Sequence, residues 1–255
     1  MLALIADSHV SPLPPAHPGM PDADDFFAML DALAHSPHDV LFLGDNLDLW
    51  IGSSDAYENA VQRRFRDWCR QQRPHRRLLF VEGNHEFYIC RHFGDCFTRC
   101  AETTLIEHGR LFVHGDVTQC ALGFHRIFRR LAKNAFGDWM MAHLPGGVAF
   151  AAAMKRLLSH RHREGVGNER GDWMPREDVE RWVAAEGCRH GVSDVYMGHF
   201  HFASQGERGG VRYRVLPAWK YDGAIGLLDE ETGDCRVAPW RDALDMPRHH
   251  GEEND

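Results

Sequence analysis

Short apolar runs that stop abruptly at Gly, Asp, Asn or His recur along this chain, and they predict its strands. LALIA at residues 2–6, Val40 to Leu43, the apolar start of LLFVEGNHEF (Leu78 to Phe87), Leu111 to Val113 and Asp194 to Met197 each fit a short buried strand. Each run is followed at once by polar residues that read as a loop: Asp7-Ser8-His9, Gly44-Asp45-Asn46, Gly83-Asn84-His85-Glu86, His114-Gly115-Asp116 and Gly198-His199-Phe200-His201. Asp24 to Leu33 and Tyr57 to Gln72 carry apolar residues at helical spacing, the second through Ala60, Val61, Phe65 and Trp68. SPLPPAHPGMPD is too rich in proline for a helix and reads as a surface loop. After His201, VRYRVLPAW, GAIGLLD and CRVAPW read as three further strands, and the polar tail RHHGEEND is expected to fray. The pattern predicts an α/β fold, in which ligands bind just beyond the C-terminal ends of the strands.

The chain has 255 residues and no Pro-, Gly- or Ser-rich linker, so residues 1–255 are expected to form a single domain. A net charge of -8 and a pI near 6.1 argue against general affinity for nucleic acid. One segment runs against that balance. Residues 119–163 hold eight Lys or Arg against one acid, Asp138, among Phe124, Ile127, Phe128, Leu131, Phe136, Trp139 and Met140. With the small and apolar stretch Val148 to Leu158, this reads as a basic amphipathic helical insertion at about 119–172. Such a segment suits an anionic, apolar ligand; it equally suits a hairpin that packs its apolar face on the core.

The seven cysteines are scattered at 69, 90, 96, 100, 120, 188 and 235 without a CxxC pair, so reduced thiols are expected, with Cys90, Cys96 and Cys100 serving packing. Met1 runs straight into LALIAD without a basic stretch, and no apolar run nears the roughly 20 residues that span a bilayer. A cytoplasmic protein is the expectation, with room for peripheral contact with the inner membrane. Nothing in the sequence sets the oligomeric state.

Eighteen histidines change the picture, because several fall at the strand ends. Asp7, His9, Asp45, Asn84, His114, His199 and His201 supply oxygen and nitrogen donors without a thiolate, a set that suits two divalent ions. Mixed imidazole and carboxylate suits Mn, Fe or Zn better than Ca, and Asp45 is the expected bridge. Two ions about 3.5–4 Å apart can hold a hydroxide between them and clamp the oxygens of a phosphoryl group under attack. Asn84 and His85 are therefore the expected catalytic pair, with His85 stabilising developing charge or protonating the leaving oxygen. Asp48 and Asp116 are expected to support the loops rather than to bind metal.

ADSH, LGDNLD, EGNHE, FVHGD and MGHFH, spread over residues 6–201, resemble the five blocks of the calcineurin-like metallophosphoesterases. The resemblance implies a four-layer sandwich with two central mixed sheets flanked by helices. It also implies one ion on Asp7, His9, Asp45 and His201, and a second on Asp45, Asn84, His114 and His199. GDNLDLW, the insertion after HGD, and LPAWKYDGA are similar to the bacterial UDP-2,3-diacylglucosamine pyrophosphatases. Those are peripheral membrane enzymes that release UMP and 2,3-diacylglucosamine 1-phosphate, with an insertion covering the acyl chains. On that likeness the substrate is phosphorylated and lipid-linked, and Trp50, Lys155 and Arg156 are expected to contact it. The chain departs from that group in carrying His85-Glu86 where the group has Arg-Asp, and Cys120, Ala121 and Leu122 where the group has acids. A soluble phosphomonoesterase or phosphodiesterase acting on a small nucleotide or phosphoprotein is the alternative, and a non-catalytic scaffold of the same fold is a further one.

Overall fold

A computed structural model describes residues 1–15, 17–53, 58–119, 133–143 and 174–244. The amino-terminal half lays down β1 (Leu2–Ile5), α1 (Ala23–Ala34), β2 (Asp39–Phe42), β3 (Trp50–Ile51), α2 (Ala60–Gln72), β4 (Leu78–Val81), β5 (Glu86–Phe87) and α3 (Ile89–His92). Then come β6 (Arg99–Ala101), β7 (Thr104–Glu107), β8 (Arg110–Val113) and α4 (Ala135–His143). The remainder supplies α5 (Arg176–His190), β9 (Asp194–Met197), β10 (Ser204–Arg208), β11 (Val211–Val215), α6 (Trp219–Asp222), β12 (Ala224–Leu228), β13 (Cys235–Pro239) and α7 (Trp240–Ala243).

Two mixed sheets form the centre, in strand orders β13-β12-β1-β2-β4-β6 and β10-β11-β9-β8-β7. Strand periodicity explains how one short run serves two cores. In β1, Leu2 and Leu4 face the second sheet with Leu41, Leu79, Phe112 and Tyr196. Ala3 and Ile5 face the other way, into a core with Phe26 and Leu30 of α1 and Phe65 and Trp68 of α2. Behind the second sheet, Val179 and Val183 of α5 pack on Val195, Met197 and Val211. Helices, sheet, sheet and helix make the four layers expected from the resemblance.

Helix starts follow local chemistry. Asp22 caps α1 by accepting from the backbone of Asp24 and Asp25, and Asn59 caps α2 in a reciprocal pair with Gln62. The latter cap sets the beginning of α2 at Ala60, later than the spacing predicted, and residue 57 lies outside the described residues.

Two expectations need correction. VRYRVLPAW is not one strand: pairing with β9 stops at Val215, and Trp219–Asp222 turns into α6 after Pro217, which lacks an N–H for a ladder. β6, β7, β10 and α5 were not legible as separate elements. Cys90 and Cys100 are not reduced packing residues but a disulfide, with Cα atoms 5.4 Å apart. The parallel pairing of β6 with β4 carries Cys100 to the start of α3, where Cys90 sits, a proximity that spacing alone does not reveal. Of the basic insertion, residues 133–143 are described; Val148 to Leu158, with Lys155 and Arg156, lies outside the described residues, as does the tail RHHGEEND.

Candidate metal centre

All seven donor residues that follow the strand-like runs converge at one edge of the two sheets. The loops are tied to one another through backbone bonds: Asp7 N donates to Gly44 O at 3.1 Å, His9 N to Asp45 O at 2.9 Å, Gly198 N to His114 O at 2.8 Å and Trp219 N to Ala6 O at 3.0 Å. Five of the seven donors adopt left-handed backbone: Asp7 (φ 53°), His9 (46°), Asp45 (52°), His199 (71°) and His201 (65°). That region costs energy for a residue with a side chain, and it concentrates here at the donor positions. Two glycines make room. A Cβ on Gly83 would sit 2.1 Å from Asp45 Oδ1, and one on Gly198 would sit 2.4 Å from Asp7 Oδ2.

Each carboxylate divides its oxygens. Asp45 Oδ1 accepts from His85 N at 2.7 Å, and Asp7 Oδ2 accepts from His199 N at 2.7 Å. The other oxygen of each faces the centre. Asp7 Oδ1 lies 3.4 Å from His201 Nε2 and 4.0 Å from His9 Nε2, and His9 Nε2 lies 3.9 Å from Asp45 Oδ2. On the other side, Asp45 Oδ2 lies 3.3 Å from His114 Nε2, which is 3.1 Å from Asn84 Oδ1 and 3.3 Å from His199 Nδ1. Asp45 Oδ2 therefore belongs to both groups, the place a bridging ligand must occupy. His114 Nδ1 donates to Leu43 O at 3.0 Å, which leaves Nε2 as the donor atom.

The residues fit divalent ions. Asp7 Oδ1 and His9 Nε2 are buried without a hydrogen-bond partner, although nearly all buried polar atoms have one. The charge pattern agrees. Burial, then the charges of Lys220 and His85, hold His9 well below the usual imidazole range. Burial, then the neighbouring His114, pushes His199 down to about 3, so both rings are neutral and offer lone pairs. Burial opposes ionisation of Asp7 and Asp45, but the surrounding histidines hold both carboxyls below their ordinary value. His114 is opposed by burial yet pushed up to about 10 by Asp45, so it sits where positive charge is most favoured.

His85 lies beside the donors rather than among the seven. Its Nδ1 donates to the backbone carbonyl of Asp48 at 2.6 Å, and Nε2 faces inward, 3.9 Å from Asp45 Oδ2. Asp48 thus contributes its backbone carbonyl to holding that ring. Trp50 requires correction as a substrate contact. Its ring is 0% exposed, stacked on Phe93 at 5.6 Å and edge-on to Phe65 and Phe80, because β3 turns it into the α2 side of the core.

Sequence reasoning gave Glu86 no role, and the structure gives it a central one. Its buried carboxylate accepts from Gly83 N at 2.9 Å, Asp45 N at 3.1 Å and Asn46 N at 2.9 Å, joining two donor loops. Burial, then the charge of Asp45, pushes its carboxyl up to about 7. The signal was present in the sequence as an acid one residue from His85, but register alone does not show three backbone amides pointing at it.

Similarity to known proteins agrees with this geometry. The calcineurin-like phosphoesterase family matches residues 1–203. The chain belongs to that family. Among its relatives, UDP-2,3-diacylglucosamine hydrolases from two strains of Pseudomonas putida are 31% and 32% identical over 209 and 213 residues, covering 79% of this chain and 82% of each relative. A UDP-2,3-diacylglucosamine hydrolase from Pseudomonas fluorescens is 26% identical over 248 residues, covering 91% of this chain and 92% of its own. As a calcineurin-like phosphoesterase with these relatives, the chain is a metal-dependent hydrolase of phosphate ester or pyrophosphate bonds.

Proposed function

We propose that this phosphoesterase hydrolyses the pyrophosphate of UDP-2,3-diacylglucosamine to UMP and 2,3-diacylglucosamine 1-phosphate. The observation that carries the reading is the similarity to the two Pseudomonas putida hydrolases over most of both lengths. In this reading Asp7, His9, Asp45 and His201 hold one ion, and Asp45, Asn84, His114 and His199 hold the other. Manganese is the proposed metal, with iron or zinc as alternatives for a donor set of imidazoles, carboxylates and one amide. Bound divalent ions supply Lewis-acid polarisation of phosphoryl oxygens and a water of lowered pKa.

The remaining chemistry falls to the chain. His85, with Nδ1 committed to Asp48 O, keeps Nε2 toward the centre and in its protonated form delivers a proton from that atom to the leaving oxygen. Asn84 orients the phosphoryl group through the same amide that serves as a donor. Glu86 holds the Asp45 and Asn84 loops in register. Lys155 and Arg156 remain proposed contacts for the anionic part of the substrate.

Cytoplasmic placement with peripheral contact at the inner membrane is part of the proposal. Among the described residues no helix is long and apolar enough to cross a membrane. On α4, Phe136 is 66% and Trp139 57% exposed, an apolar face of the kind that meets lipid.

A second reading has an observation of its own: His85 faces the centre, as a general acid for small phosphoesters would. Purified protein loaded with Mn, given UDP-2,3-diacylglucosamine in detergent or small phosphoesters, separates the two by mass spectrometry of products. UMP with the lipid 1-phosphate supports the proposal. Turnover of small esters alone rejects the lipid substrate and selects a soluble phosphomonoesterase or phosphodiesterase.

A further inference from the structure

Glu82 directly follows β4 and precedes the turn that presents Asn84. Its carboxylate is 1% exposed, and one oxygen accepts from Cys90 N at 2.9 Å. The other oxygen is met by Lys133, which comes from the insertion, 51 residues further along the chain. Lys133 Nζ lies 3.1 Å from Glu82 Oε2 and donates to Gly83 O at 2.7 Å, with its side chain 8% exposed and its ammonium 5.5 Å from the Phe87 ring. The same segment is fastened a second time: Asp138 of α4 accepts from Ser53 Oγ at 2.6 Å and lies 2.9 Å from His92 Nε2.

A buried carboxylate deprived of its cation is strongly unfavourable, and here such a charge would sit two residues from Asn84. The peptide carbonyl that Lys133 holds belongs to Gly83, the residue immediately before Asn84. We propose that Lys133 is a positioning residue: by neutralising Glu82 and holding Gly83 O, it fixes the turn that presents Asn84 to the second ion. The proposal rests on the reading of Asn84 as a ligand. It makes the insertion part of the metal centre's support rather than only a cover for substrate.

Calorimetric titration with Mn and thermal melting of the ion-free protein test it, using Lys133→Met, Lys133→Arg, Asn84→Ala and the double variant Glu82→Gln/Lys133→Met. Lys133→Met is expected to weaken one of two Mn sites by about tenfold or more, the range for a group that orients a ligand, and to lower the melting temperature. Lys133→Arg restores most of both. The double variant recovers relative to Lys133→Met alone, because the uncompensated charge is gone. Two results overturn the proposal: Mn affinity within twofold of wild type for Lys133→Met, or a double variant no better than the single. Asn84→Ala separates the failures. If it weakens a site while Lys133→Met does not, only the positioning role falls; if it changes nothing, the ligand reading fails and takes the proposal with it.

Discussion

Replacing Glu86 with Gln tests whether the donor loops are held together by one buried carboxylate. The carboxylate accepts three backbone N–H groups, from Gly83, Asp45 and Asn46, in a fully buried position. A Gln amide offers one oxygen, which can serve Gly83 and Asp45, and turns its NH₂ toward the donor of Asn46. One buried N–H is then unsatisfied and the charge assistance to the other two is lost, a cost of about 3 kcal/mol. Removing the repulsion from Asp45 that helps raise the Glu86 carboxyl offsets part of this, leaving about 2 kcal/mol. For a domain of this size that lowers the melting temperature by about 4–8 °C. Differential scanning calorimetry of ion-free wild type and Glu86→Gln measures it, with a Mn titration alongside. A melting temperature within about 1 °C of wild type and unchanged Mn affinity would refute the anchoring argument.

Other substitutions probe separate links. Trp50→Phe is expected to lower stability through lost packing while leaving KM within about twofold, since the ring is buried against Phe65, Phe80 and Phe93; a large rise in KM measured by steady-state kinetics would return Trp50 to the substrate site. Gly83→Ala forces a Cβ to within 2.1 Å of Asp45 Oδ1, so the Asp45 carboxylate must move, and activity is expected to fall about 100-fold in a turnover assay; wild-type turnover contradicts the packing argument. Unreduced, denatured protein is expected to show at least two fewer reactive thiols by thiol titration than the seven found after reduction, because Cys90 and Cys100 are bonded to each other; seven before reduction contradicts the Cys90–Cys100 bond.

The donor set was legible because strands end where apolar runs end, and the polar residue after each end must lie on a loop at the sheet edge. Asp7, Asp45, Asn84, His114 and His199 could be read in this way without knowing how the strands pair. The left-handed backbone at five donors was not legible, since only a folded edge requires it. Trp50 was misread for a related reason. It follows a donor loop in sequence, but β3 and its pairing with β5 rotate the ring inward. The Cys90–Cys100 bond, the three amides on Glu86 and the reach of Lys133 to Glu82 all depend on contacts between segments far apart in the chain or on the turn of a short loop. Hydrophobic periodicity carries no record of those. β6 and β7 escaped because RCA and TLIE mix polar and apolar side chains instead of forming an apolar run.

The central claim is that one carboxylate, Asp45, joins two ion sites into a single hydrolytic centre. Metal analysis of Mn-loaded, gel-filtered protein by inductively coupled plasma mass spectrometry tests it in wild type and in Asp45→Ala. The geometry predicts two equivalents of metal per chain in the wild type, and one or none in the variant, because Asp45 Oδ2 reaches both donor groups. Two equivalents retained by folded Asp45→Ala would contradict the account.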